Sequence, residues 1–149
     1  MELKSAVYTY YQQFIDSKIA ALNKVLDDLR ESGANETKST AGDKHETALA
    51  MLQIEQANKR AQLGELLSQK AILNKIDPVR QAVAVSVGSL VKANGQYFFV
   101  SVALGKATVA GTAVIALSPQ SPLGQALLGL KPGEKILFNK IEYLIEGIA

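Results

Sequence analysis

The sequence predicts an α+β protein: an antiparallel two-helix coiled coil over roughly residues 1–76, then a small antiparallel β domain with one short helix over 77–149. Three observations carry this. From Leu3 to Ser32 there is neither proline nor glycine, and apolar residues recur at spacings of three and four, the signature of a helix with one apolar face. The same spacing resumes near Asp43 and stops before Pro78, a residue that cannot continue a helix. From Val79 onward the apolar period falls towards two, as in half-buried strands.

The first helix carries Leu3, Val7, Tyr11, Ile15, Ile19, Leu22, Leu26 and Leu29 on one stripe; it spans roughly 45 Å at the usual rise of an α-helix. Ser32-Gly33-Ala34-Asn35 marks its end, because glycine and asparagine tolerate the left-handed conformation of a C-terminal cap. The second helix runs from about Asp43 to Ile76, with Leu49, Leu52, Ile54, Ala57, Ala61, Leu63, Leu66, Leu67, Ile72 and Leu73 as its apolar stripe. Antiparallel pairing hides both stripes, and the alanines midway admit a close approach of the backbones. A hairpin of two helices has little core of its own and requires a base.

The second half supplies that base. Val83, Val85 and Val87 alternate with Ala84 and Ser86 as a first strand, and Gln96–Leu104 reads as a second, with the hairpin turn Asn94-Gly95 between them. Thr112–Leu117 is a third. Ser121-Pro122 then opens a short helix, Leu123–Leu128, closed by Gly129; serine accepts from a free backbone N–H, and proline suits the first turn. Lys131-Pro132-Gly133-Glu134 turns the chain into a last hairpin, Lys135–Phe138 and Ile141–Ile148, across Asn139-Lys140.

Composition narrows the function. A net charge of +2 argues against a coat for nucleic acid. The absence of cysteine removes disulfides, thiolate metal sites and cysteine catalysis, and points to a reducing, cytoplasmic compartment. The first residues show no signal-peptide pattern, and no apolar run is long enough to span a bilayer. Charge is unevenly placed: Asp27 to Glu46 holds six acids against three bases, whereas Lys59 to Lys75 holds Lys59, Arg60, Lys70 and Lys75 against Glu65 alone. A hairpin folded at the acidic stretch, near residues 33–47, is negative at its tip and positive nearer its base.

No glycine-rich phosphate loop is present, and the single histidine, His45, has no partners for a metal site or a hydrolytic triad. Self-contained catalysis is therefore not expected. The acidic pair Asp43-x-x-Glu46 has two readings: a capping box that satisfies free N–H groups at the helix start, or carboxylates presented at a tip.

Gly42-Asp43-Lys44-His45-Glu46 resembles the coil-tip motif of the Gre family of bacterial transcript cleavage factors. Ser121-Pro122-Leu123-Gly124-Gln125-Ala126-Leu127-Leu128-Gly129 is similar to that family's Ser-Pro-Ile-Ala-Arg-x-Leu-Ile-Gly segment, and Ile136 to Ile148 to its last β-hairpin. The resemblance spans both halves in the same order. It implies an FKBP-like second domain that docks on RNA polymerase through the segment holding Ser121, Pro122 and Leu123. It further implies a coil that enters the secondary channel, and tip acids Asp43 and Glu46 that help to hold a second Mg²⁺ and a water while the polymerase cleaves backtracked RNA. Two metals close together clamp attacking and leaving oxygens, and carboxylates suit so hard an ion. Lys59, Arg60 and Lys70 are then placed to face nascent RNA or an acidic channel wall. Neither a membrane partner nor an independent small-molecule substrate is implied.

One departure opens an alternative. After Glu46 the chain reads Thr47-Ala48-Leu49-Ala50, where the family usually has Asn-Ala-Glu-Tyr, so a second acid and an aromatic are missing. A channel-binding regulator without cleavage activity therefore stays open, as do a proline isomerase or chaperone on fold analogy, and a coiled-coil adaptor. An isomerase cleft needs aromatic walls, and alternation puts Tyr97 and Phe99 on one strand face and Phe98 on the other.

Overall fold

The computed structural model describes the backbone of residues 2–37 and 42–149, and side chains over 2–34 and 46–149. Two long helices come first, α1 (Glu2–Thr37) and α2 (Gly42–Asn74), followed by strands β1 (Leu90–Ala93), β2 (Gln96–Val100), β3 (Gly105–Val109) and β4 (Thr112–Leu117), the short helix α3 (Pro122–Leu127), and strands β5 (Lys135–Phe138) and β6 (Ile141–Ile148). The α+β class read from the sequence is the class observed. Contacts divide the chain into two compact units: one joins 1–13 to 71–149, and the other is 14–70.

In the unit 14–70, Leu22 and Leu26 of α1 are buried, and Leu29 and Gly33 are half-buried at the continuing three–four spacing. That spacing explains why α1 runs through Gly33 to Thr37 rather than stopping near Ser32. A seam position is decided by packing, which outweighs the roughly 1 kcal/mol that glycine costs a helix. Upstream, Val7, Tyr11, Ile15 and Ile19 follow one another at intervals of four, a departure from the alternating three and four of a strict heptad. On α2 the covered positions include Leu49, Leu52, Gln56, Lys59, Leu63, Leu66, Lys70 and Leu73, alternating three and four as a coiled-coil seam requires. The Lys70 ammonium meets the Asp16 carboxylate at 2.8 Å, which joins the late part of α2 to the early part of α1, as an antiparallel pair requires.

Several residues expected on the α2 stripe lie outside it. Ile54 is 62% exposed, Leu67 48% and Ile72 44%, and Ala57 and Ala61 are also exposed. The middle of the seam is therefore polar, built from Gln56 and Lys59, and not from alanine. A strict heptad selects positions by angle around the helix, so apolar residues off the seam face water.

In the unit joining 1–13 to 71–149, six strands form one sheet in the order β3-β4-β2-β1-β6-β5. Asn94-Gly95 makes the tight β1–β2 turn, with both residues at positive φ, as this turn type demands. β1 also pairs with β6 through a bulge between Lys92 and Ala93. The sheet is mostly antiparallel, but β2 and β4 run parallel, because the β3–β4 hairpin folds back and inserts β4 next to β2. A wholly antiparallel sheet was expected, and the expected strand Gln96–Leu104 proves to be β2 alone, followed by a turn and a separate β3. β3 buries only Val109, so its pattern is weak, as befits an edge strand carrying Lys106.

The expected first strand over Val83–Val87 does not form. Val85 is buried and exchanges backbone hydrogen bonds with Gly129 and Leu130, while Val83 is 85% and Val87 52% exposed. Alternation marks a face and does not provide a partner: both sides of β1 are already taken by β2 and β6. Ser86–Ser89 closes into a turn instead, with Gly88 at φ +96° packed against Ile76.

The sheet buries both faces. On one, Val91, Ala93, Phe98, Val100, Leu117 and Ile145 form a core with Val85 and Leu127 of α3, and Phe98 meets Tyr143 edge-on. On the other, Tyr11 stacks on Phe99 with ring centroids 6.0 Å apart. Its hydroxyl donates to the Gly105 carbonyl at 2.9 Å. The expected division of Phe98 and Phe99 between the two faces of β2 is present.

Candidate functional site

The acidic pair belongs to the beginning of α2. The bounds Gly42–Asn74 place Asp43 and Glu46 within the first two turns of the helix. The side chains of Asp43 and His45 lie outside the described residues; Glu46 is exposed. Acids at this end complement the partial positive charge of the helix N-terminus. Residues three apart on a helix share a face, so the backbone puts both acids on one side of α2. Among the described residues no group of three or more histidine or carboxylate side chains gathers as a metal site.

The three coil cations differ in their surroundings. Lys59 sits in the seam with its side chain 28% exposed and pairs with Glu55 at 3.6 Å. Lys70 is held by Asp16. Arg60 is exposed and has no ion-pair partner among the described residues, so it alone of the three presents an uncompensated charge.

Ser121, Pro122 and Leu123 occupy the start of α3. The Ser121 hydroxyl accepts from the Gly124 N–H at 3.1 Å and donates to the Ser118 carbonyl at 2.6 Å, which makes it the N-cap expected from sequence, with Pro122 in the first turn. Leu123 packs against the core and Pro122 is exposed. Gly124 is required here: a Cβ would lie 2.0 Å from the Ser118 carbonyl oxygen. Of the three, only Pro122 offers an exposed surface; the other two hold the turn.

Sequence reasoning passed over one feature. A cavity of about 510 Å³ is lined by Lys4, Ile72, Lys75, Ile76, Asp77, Arg80 and the segment 81–89. Lys4 is 3% exposed and donates to the Arg80 carbonyl. Burial pulls its ammonium pKa below the usual lysine value, Asp77 opposes that shift, and Arg80 adds to it. The signal was present in the sequence, since Lys4 stands three residues before Val7 and seven before Tyr11, at a position of the α1 stripe. No aromatic residue lines this cavity, and Phe98 and Phe99 are buried core.

No helix among the described residues is long and apolar enough to cross a membrane. No family model matches the chain, and no curated protein matches it. Among solved structures, the chain is similar to one described as that of the transcription factor Gfh1, at 18% identity over 92% of each chain with a TM-score of 0.36.

Proposed function

We propose that the chain is a Gre-like transcription elongation factor. In this reading its helical pair enters the secondary channel of RNA polymerase, and Asp43 and Glu46 promote cleavage of backtracked RNA by the polymerase's own active centre. The observation that carries the reading is the placement of an Asp-x-x-Glu pair within the first two turns of α2, where only residues 38–41 separate two helices of 36 and 33 residues. A helix of 36 residues reaches ~54 Å, enough to carry a tip into a deep pore.

The residues act through position and charge. Asp43 and Glu46 supply hard oxygen donors, which fit part of a Mg²⁺ shell and leave the remaining ligands to the polymerase and the RNA. The chemistry that Mg²⁺ would supply there is Lewis-acid activation of a water. Arg60 is the coil cation available to RNA or an acidic channel wall, while Lys59 and Lys70 are engaged by Glu55 and Asp16. The α3 segment, with Pro122 exposed and fixed by the Ser121 cap, serves as the docking element on the polymerase rim. The chain is not an enzyme by itself in this reading.

A channel-occupying regulator without cleavage activity is the second reading. It is favoured by the segment after Glu46, where Leu49 turns into the seam and no further acid follows until Glu55. Stalled, backtracked elongation complexes given Mg²⁺ and the protein distinguish the two. RNA fragments that disappear with the Asp43→Ala, Glu46→Ala double variant, while polymerase binding persists, support cleavage through the tip. Binding without fragments transfers support to the second reading, and absence of binding defeats both.

A further inference from the structure

The cavity beside Lys4 carries an inference independent of the polymerase reading. A lysine ammonium has three donors, yet Lys4, 97% buried by its 3% exposure, has one hydrogen-bond partner among the described residues, the Arg80 carbonyl. Among the described residues no carboxylate stands within ion-pair distance of it, although Asp77 lies on the same cavity wall. A buried charge whose nearest counter-charge stands beyond ion-pair distance is costly, and the cavity beside Lys4 leaves room for an anion to approach it. Lys75 and Arg80 line the same space, so three cations face a single acid. The rest of the lining is largely aliphatic, with Ile72, Ile76, Val83 and Val87 prominent. Val83 and Val87 remain 85% and 52% exposed, which leaves apolar surface beside the cavity for a ligand to cover. The volume, about 510 Å³, falls in the range of small-molecule sites, which combine apolar walls with a few fixed polar groups.

We propose that this cavity binds a small amphipathic anion, its acidic head group against Lys4 and Arg80 and its aliphatic body along Ile72, Ile76, Val83 and Val87. The head group supplies the partner that Lys4 lacks. The chain body removes the two valines from water. The segment 81–89 forms no strand; it is held by the bonds of Val85 to Gly129 and Leu130 and by the Ser86–Ser89 turn, and supplies one wall of the site.

Octanoate is the probe, with octanol and octylammonium as neutral and cationic controls of the same body. Calorimetric titration of the full chain is expected to show octanoate binding at least tenfold more tightly than either control, and amide NMR shifts confined to 72–89 and the Lys4 turn. Lys4→Met, which removes the charge and keeps an unbranched apolar side chain, is expected to weaken octanoate at least tenfold, and Arg80→Met serves as the second variant should the first fold poorly. Equal binding of all three probes, octanoate binding unchanged in both variants, shifts elsewhere on the protein, or no octanoate binding at millimolar concentration would each overturn the proposal.

Discussion

Tyr11 shows how one side chain on α1 becomes part of the sheet's architecture. Its ring stacks on Phe99, and its hydroxyl donates to the carbonyls of Gly105 at 2.9 Å and Val114 at 3.4 Å. Burial pushes the hydroxyl pKa up to about 12, with the Ala116 backbone opposing the shift and Tyr10 adding to it. The folded state therefore keeps this proton at a pH where the unfolded chain loses it, and the contribution to stability is full below about pH 10 and is lost between there and pH 12. Tyr11→Phe is expected to cost about 1 kcal/mol at pH 8, the net value of a hydrogen bond. Because phenylalanine does not titrate, the deficit should shrink as the pH rises above 10, as urea unfolding of both proteins at pH 8 and pH 11 would measure. An unchanged deficit would mean that the hydroxyl is not buried with its proton.

At the scale of the element, the α2 seam carries the main departure from a simple apolar stripe. Gln56 and Lys59 occupy seam positions flanked by Leu52 and Leu63. A polar pair at such positions gives up stability and fixes the register of the two helices. The double replacement Gln56→Leu, Lys59→Leu is expected to stabilise the helical pair by ~1–3 kcal/mol from added apolar burial, read as a higher urea midpoint of the helical circular dichroism signal. A lower midpoint would show that the polar groups contribute hydrogen bonds that the leucines cannot replace. The short helix follows the opposite logic. Its start was legible residue by residue, since Ser121, Pro122 and Gly124 each have one local role there. β3 was not legible, because an edge strand that buries only Val109 leaves almost no periodic trace.

At the scale of the molecule, the contacts assign the start of α1 and the end of α2 to the unit that holds the sheet. Val7, Tyr11, Leu73 and Ile76 are all buried within that unit. A fragment limited to 77–149 loses all four and uncovers Phe99, so it is expected to lack a cooperative thermal transition. By contrast, deleting seven residues from each helix within 14–70 keeps the three–four spacing in both. That variant is expected to retain the melting transition of the sheet-bearing unit, followed by tyrosine fluorescence, while losing cleavage stimulation through a shortened reach. Retained cleavage would argue against action through the tip.

Local chemistry alone determined a good part of this protein. The helical periods, the Asn94-Gly95 turn, the Ser121-Pro122 cap and the closing β5–β6 hairpin rest on interactions between residues near in sequence, and each can be read before any tertiary contact is known. Which valines of 83–87 reach the core, why β4 lies parallel to β2, and why Gln56 and Lys59 rather than alanines fill the seam depend on partners distant in the chain. Lys4 is the clearest case: its position on the α1 stripe is written in the sequence, but its burial and the cavity beside it exist only because residues 72–89 fold around it. Periodicity specifies which face of an element is apolar. The identity of what covers that face, and the charge left without a partner there, are decided by long-range packing.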